Sequence, residues 1–134
     1  MAAKQVQLHW EPETKFTVRN KNNTEVRINQ PNAVSASELL PMALIGCSSY
    51  DVVEILEKQR QALTRLNVTA DSVQDEDPPW RFRKIHIHFQ VIGRGLDAEK
   101  VHKAILLSEE KYCSVYVTLR DAIEITHDVE VLEG

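Results

Sequence analysis

The sequence is short of cysteine, has no surplus of positive charge and lacks a long apolar run, and each shortage excludes a class of protein. Two cysteines, Cys47 and Cys113, among 134 residues are too few to staple a secreted scaffold. The chain also has no CxxC pair to form a zinc knuckle. Lys and Arg number 16 against 20 Asp and Glu, a net charge of -4, which argues against nucleic acid as a partner. The longest apolar stretch, Leu39 to Cys47, is far below the roughly 20 residues that cross a bilayer, so no membrane association is expected. In the N-terminal MAAKQVQLHWEPE no apolar run follows a charged segment, and a signal peptide is not expected. The expected setting is a reducing cytoplasm, where a disulfide is transient and catalytic rather than structural.

What is present is ordinary for a compact chain. A hydrophobic fraction of 43% and a charged fraction of 27% exclude disordered, collagen-like and low-complexity classes. The length fits one domain, 1–134, with no room for a second core.

Period-2 patterning opens the chain: Val6, Leu8 and Trp10, then Phe16 and Val18, then Val26 and Ile28. The NKNN stretch at 20–23 supplies a turn, and the three segments read as an antiparallel meander with one wet face. A long helix follows, capped by Ser35 or Ser37, with Glu38 favouring its positive end and Pro41 tolerated near its start. From Leu39 to Gly46 nearly every residue is apolar or small, which predicts burial all round. From Tyr50 the pattern turns amphipathic. One small subunit can hardly wrap such a segment, so a dimer core is expected. Leu66 to Val73 reads as a fourth strand, and the DEDPP loop at 75–79 precedes a fifth. Trp80 and Phe82 have one parity there and Ile85, Ile87, Phe89 and Val91 the other, which a bulge near Arg83–Lys84 reconciles. Asp97 caps a helix carrying Val101, Ala104, Ile105 and Leu107. Ser114 caps a shorter one at 115–121, and Ile123 to Val131 alternate as a last strand. No internal repeat is visible. The order βββ-α-ββ-αα-β is an α+β class.

Cys47 lies in the apolar helix and Cys113 at a loop-to-helix junction. Local sequence favours Cys113 as the more acidic thiol, since a helix start and the nearby Lys111 both lower a thiol pKa. An apolar helix and Asp51 one turn later act against Cys47. Read from the residues alone, both cysteines are equally well small buried hydrophobes.

The segments SASELLPMALIGCSSYDVVEILEKQRQ, IHIHFQVIGRGL and SEEKYCSVYVTLRDAIEITHDVEV together resemble the OsmC/Ohr superfamily, most closely its YhfA-like branch, over roughly residues 5 to 132. The resemblance implies an α+β OsmC-like fold and an intertwined homodimer with the cysteine helices at its centre. It also implies a peroxidatic Cys47, whose thiolate attacks an organic hydroperoxide, and a resolving Cys113, with an external dithiol as reductant. In peroxidatic members an arginine from the N-terminal strands activates the first cysteine, held by a glutamate at the start of the cysteine helix. Arg19 is the candidate arginine, with Arg27 next. Glu38 is the candidate glutamate, nine positions before Cys47, whereas peroxidatic members place theirs ten before, at Ser37. A one-residue shift turns a helical side chain by about 100°, and Glu38 can equally serve the helix end.

His127, on the apolar face of the last strand, reads as a satisfied core or interface histidine rather than a catalytic base. His86 and His88 share a strand face and read as a polar stripe rather than a metal pair, for want of a third ligand. His9 and His102 carry no signal. Arg81, Arg83 and Lys84 read as charges guarding an edge strand. Neither metal nor cofactor is expected. Two functions stay open. One is thiol-dependent reduction of organic hydroperoxides by the Cys47/Cys113 pair. The other is a non-enzymatic dimer that binds an apolar small molecule or senses redox state. Either could use an apolar pocket near Cys47 lined by Leu40, Met42, Leu44 and Tyr50.

Overall fold

Three short strands pair in sequence order: β1 (Val6–Trp10), β2 (Phe16–Asn20) and β3 (Glu25–Ile28), all antiparallel. The NKNN segment closes the second hairpin as expected. The Asn20 side-chain oxygen accepts hydrogen bonds from the Asn22 and Thr24 amides at 2.9 and 3.0 Å, and Asn23 takes the left-handed conformation that asparagine tolerates. These strands and the residues up to Leu40 form one compact unit of the structure, a computed structural model that describes residues 4–134; Pro41–Gly134 form a second. The apolar row of β1 is uncovered: Val6, Leu8 and Trp10 are 71%, 57% and 64% exposed. The meander therefore shows solvent an apolar row as well as a wet face.

A 3₁₀ turn at Ala36–Glu38 leads into α1 (Leu39–Lys58). Ser35 is the cap: its amide and its hydroxyl both donate to Glu38 Oε1, at 3.4 and 2.9 Å, and the Glu38 amide donates to the Ser35 carbonyl at 3.2 Å, which settles the helix start. Within a single chain, burial along α1 is partial. Leu44, Ser48, Val52 and Leu56 are buried, a single stripe at i, i+4 spacing, while Ala43, Gly46 and the large side chains Met42 and Tyr50 are exposed. The apolar half of the helix is covered on one side only, because one chain of this size supplies only one wall. Residues Ala36–Lys58 are long and apolar enough to cross a membrane by length and composition. Here the segment is a core helix whose buried stripe faces protein.

The second unit holds a sheet of order β4-β5-β6, from β4 (Ala62–Gln74), β5 (Phe82–Arg94) and β6 (Glu124–Glu133). β4 starts four residues earlier than its periodicity suggests, pairing antiparallel with β5 along its whole length. The expected bulge is present: Val73 faces Lys84 and Gln74 faces Phe82, so Arg83 is the extra residue. β5 alternates strictly, with Ile85, Ile87, Phe89 and Val91 buried. It is also the central strand, which overturns the reading of Arg81, Arg83 and Lys84 as edge guards. Arg83 instead forms a two-pronged pair with Asp75 at 2.9 Å, and Arg81 donates to the Ala122 carbonyl.

β5 and β6 run parallel, so the chain must cross over between them, as parallel neighbours require. The crossover is α2 (Ala98–Leu107), a π turn at Ser108–Tyr112 and α3 (Ser114–Leu119). Asp97 caps α2 by accepting from the Glu99 amide at 3.0 Å. Val101, Ala104, Ile105 and Ser108 make its buried stripe. The cap of α3 is Cys113, not Ser114, and the helix is shorter than expected.

Gly93, near the end of β5, is buried where no side chain fits. A Cβ there would strike the Ala62 carbonyl oxygen and lie 2.8 Å from Leu96 Cγ. Gly93→Ala is expected to cost about 1–3 kcal/mol through overpacking, read as a lower urea midpoint at unchanged slope. An unchanged midpoint would show that the start of β4 and the Leu96 side chain yield freely.

Candidate functional site

The i, i+4 spacing of Cys47 and Asp51 puts both side chains on one face of α1, half-buried beside the helix's interior stripe. The crossover brings up the other wall. In the π turn the Cys113 amide bonds the Ser108 carbonyl at 2.8 Å, five residues back. One extra residue in the turn leaves both Ser108 and Cys113 facing inward, fully buried. The two sulfurs and a carboxylate oxygen of Asp51 all lie within 4.8 Å of one another. Both thiols are free.

Two serines complete the cluster. Ser48 Oγ donates to Cys113 Sγ at 3.5 Å, and Ser108 Oγ donates to Asp51 Oδ2 at 2.8 Å. The Tyr116 amide donates to Cys113 Sγ at 3.3 Å. Sequence reasoning missed both serines, although each had a signal. Ser48 is the one polar residue in the stripe Leu44, Ser48, Val52, Leu56, and Ser108 extends the stripe of α2. A hydroxyl in an apolar stripe needs a partner there.

The acidity assigned to Cys113 from its local sequence is overturned. Burial pushes its thiol above the ordinary value; the Ser48 hydroxyl and the Tyr116 amide pull the other way, and the Cys47 thiol adds to the rise. The start of a six-residue helix is too small a field to outweigh desolvation.

The other candidates have definite partners. Arg19, on β2, pairs with Glu25 on β3. Glu38 is engaged by Ser35 as described, and Arg27 is exposed. The proposed pocket lining does not gather as expected: Leu44 is fully buried, whereas Met42 and Tyr50 are exposed on other sides of α1. A shallow groove runs instead along Gly46, Ser49, Tyr50 and Val53.

His127 is held inside the sheet face as expected. Its Nδ1 lies 2.6 Å from Glu109 Oε1, and its ring meets Phe89 edge-on at 6.2 Å. The Glu109 hydrogen bond raises its pKa against the opposing effect of burial. With the folded pKa above the unfolded value of about 6.5, the pair's stabilisation is full below that value and is lost as pH rises through the folded pKa. Glu109→Gln is therefore expected to cost about 1.5 kcal/mol at pH 6 and clearly less at pH 9. Urea unfolding of both proteins at the two pH values reads the gap, and a gap that does not shrink contradicts the assignment. On the opposite sheet face, His86 and His88 share Asp128 at 2.7 and 2.9 Å, and His88 also meets Glu130 at 3.1 Å. The expected polar stripe is thus a row of paired groups.

The fold is an α+β arrangement whose long helix sets a half-buried thiol against a fully buried one. Residues 29–128 match the family described as OsmC-like protein, and the chain belongs to that family. It is 45% identical over 100 residues, 75% of each chain, to Protein YhfA of Escherichia coli (strain K12). Its fold is similar to that of an OsmC-like protein from Mycoplasma pneumoniae, with TM-score 0.83, 11% identity and 98% of each chain covered. It is also similar to the organic hydroperoxide resistance protein OhrB of Bacillus subtilis, with TM-score 0.63, 14% identity, and 96% of this chain and 98% of that one covered.

Proposed function

We propose that this OsmC-like protein reduces organic hydroperoxides with the Cys47/Cys113 pair, as a cytoplasmic defence against peroxide stress. The observation that carries the reading is the approach of the two sulfurs to within 4.8 Å, close enough for side-chain rotation to bring them to a disulfide. Their unequal burial supports the division of labour. Cys47, half-buried, is the thiol a substrate can reach; Cys113, fully buried, is shielded until its partner is oxidised. The Cys47 thiolate attacks the distal peroxide oxygen, and the O–O bond breaks. An alcohol leaves after taking a proton, and Cys47 becomes a sulfenic acid. Cys113 displaces water from that sulfur, and an external dithiol reduces the resulting disulfide by two exchanges.

In this reading Arg19 and Glu38 remain the candidate activating cation and anchor, with Glu38 one position away from where peroxidatic members place their glutamate and each side chain leaving the partner it has here, Glu25 and Ser35. The reading also takes 1–134 as one domain, supported by a family match over residues 29–128 that runs across the boundary at Leu40. It takes the working form as a homodimer, since the uncovered row of β1 and the exposed side chains of α1 are apolar surface that a second copy would bury. The test is steady-state turnover of cumene hydroperoxide with dihydrolipoamide, using metal-free protein. Turnover that depends on Cys47 is the expected result. Turnover no faster in wild type than in Cys47→Ser would overturn the reading in favour of a non-enzymatic dimer binding an apolar molecule.

A further inference from the structure

We propose that the reduced protein binds one zinc-class, thiophilic divalent ion at Cys47, Asp51 and Cys113, as a reversible occupant that blocks the redox pair. Three donors converge there, two sulfurs and a carboxylate oxygen, all within 4.8 Å of one another. Ligands at zinc's bond lengths of about 2.0–2.3 Å occupy tetrahedral corners roughly 3.5–3.8 Å apart. A movement of about 1 Å closes this set around an ion. Two thiolates and a carboxylate suit a borderline-soft ion and disfavour magnesium or calcium, which prefer oxygen throughout.

The surroundings strengthen the case beyond the donor set. Ser108 holds Asp51 by Oδ2 alone at 2.8 Å, which leaves Oδ1 to coordinate. The Ser48 hydroxyl and the Tyr116 amide both point at Cys113 Sγ, at 3.5 and 3.3 Å, where they would offset the charge of a metal-bound thiolate. Such outer hydrogen bonds orient ligands and raise affinity. Each thiol that binds gives its proton to solvent. Three protein ligands leave the fourth corner to water, so the site is open and its ion exchangeable rather than a resident cofactor. An ion bridging both sulfurs occupies the electron pairs that peroxide attack and disulfide formation need.

The binding is independent of the hydroperoxide reading, because it needs only reduced thiols; the blocking rests on that reading. The test uses no peroxide: fully reduced, full-length protein is titrated with Co2+ under anaerobic conditions, and Zn2+ is then added. One Co2+ per chain is expected, with a thiolate-to-metal charge-transfer band that Zn2+ abolishes. Cys47→Ser and Cys113→Ser are each expected to lose the two-thiolate band. Asp51→Asn should weaken binding at least tenfold, and Ser108→Ala about tenfold to a hundredfold. Circular dichroism checks that each variant is folded, and the conservative Asp51→Asn keeps the test valid if a serine variant is not. Absence of a charge-transfer band in the wild type would overturn the proposal, as would a band unchanged in folded Cys47→Ser or an affinity unchanged in folded Asp51→Asn.

Discussion

Cys47→Ser is expected to lower kcat/KM for cumene hydroperoxide on the order of a thousandfold or more, the scale for removing a covalent nucleophile. A serine hydroxyl is neither ionised near neutral pH nor able to carry the oxygen as a sulfenic acid. Cys113→Ser is expected to behave differently. It keeps the attacking thiol, so each chain should consume one equivalent of hydroperoxide rapidly and then stall with Cys47 as a sulfenic acid that dimedone traps. The contrast identifies the order of the two sulfurs, which their unequal burial favours and which Cys113's local sequence opposes. A single turnover in Cys47→Ser and none in Cys113→Ser would reverse the roles.

Phe89→Ala should have the largest effect on stability, a loss of about 4 kcal/mol. For a chain of this size that corresponds to roughly 10–20 °C in Tm. Phe89 is 1% exposed on the central strand, paired with Val68 on β4 and Val129 on β6, and its ring meets the His127 imidazole. Truncation removes the largest fully buried side chain at the point where three strands meet. It also takes away one wall of the half-buried His127–Glu109 pair. Phe89→Leu, which keeps most of the volume, should cost less than about 1.5 kcal/mol. Thermal unfolding of the three proteins checks the order. Equal losses for Ala and Leu would mean that ring contacts, not filled volume, hold the site together.

Much of this architecture was legible because it rests on local periodicity. The alternation of Ile85, Ile87, Phe89 and Val91 marked a strand with one buried face, and the parity change before Ile85 placed the bulge that falls at Arg83. Asp97 and Ser35 announced their helices through ordinary capping chemistry. The misreadings share a cause, since each turned on what lies across from a residue. Arg83 looked like an edge guard because the chain does not say which strand is central. Cys113 looked acidic because the helix after it was visible and its burial was not.

By itself the sequence determined the element types and order, the α+β class, the family through its two cysteine segments, and the identity of the two sulfurs. Those features depend on residue spacing, on capping preferences and on the polarity of single positions. The tertiary structure alone decided that β6 returns parallel to β5 through a crossover carrying a π turn. That path sets Cys113 beside Cys47 and gives Asp51 and the Cys113 thiol their serine partners. The physical reason is that a pair 66 positions apart in the chain meets only when the sheet closes over the helix. Burial, which raises the Cys113 thiol against its local sequence, does not exist until it does.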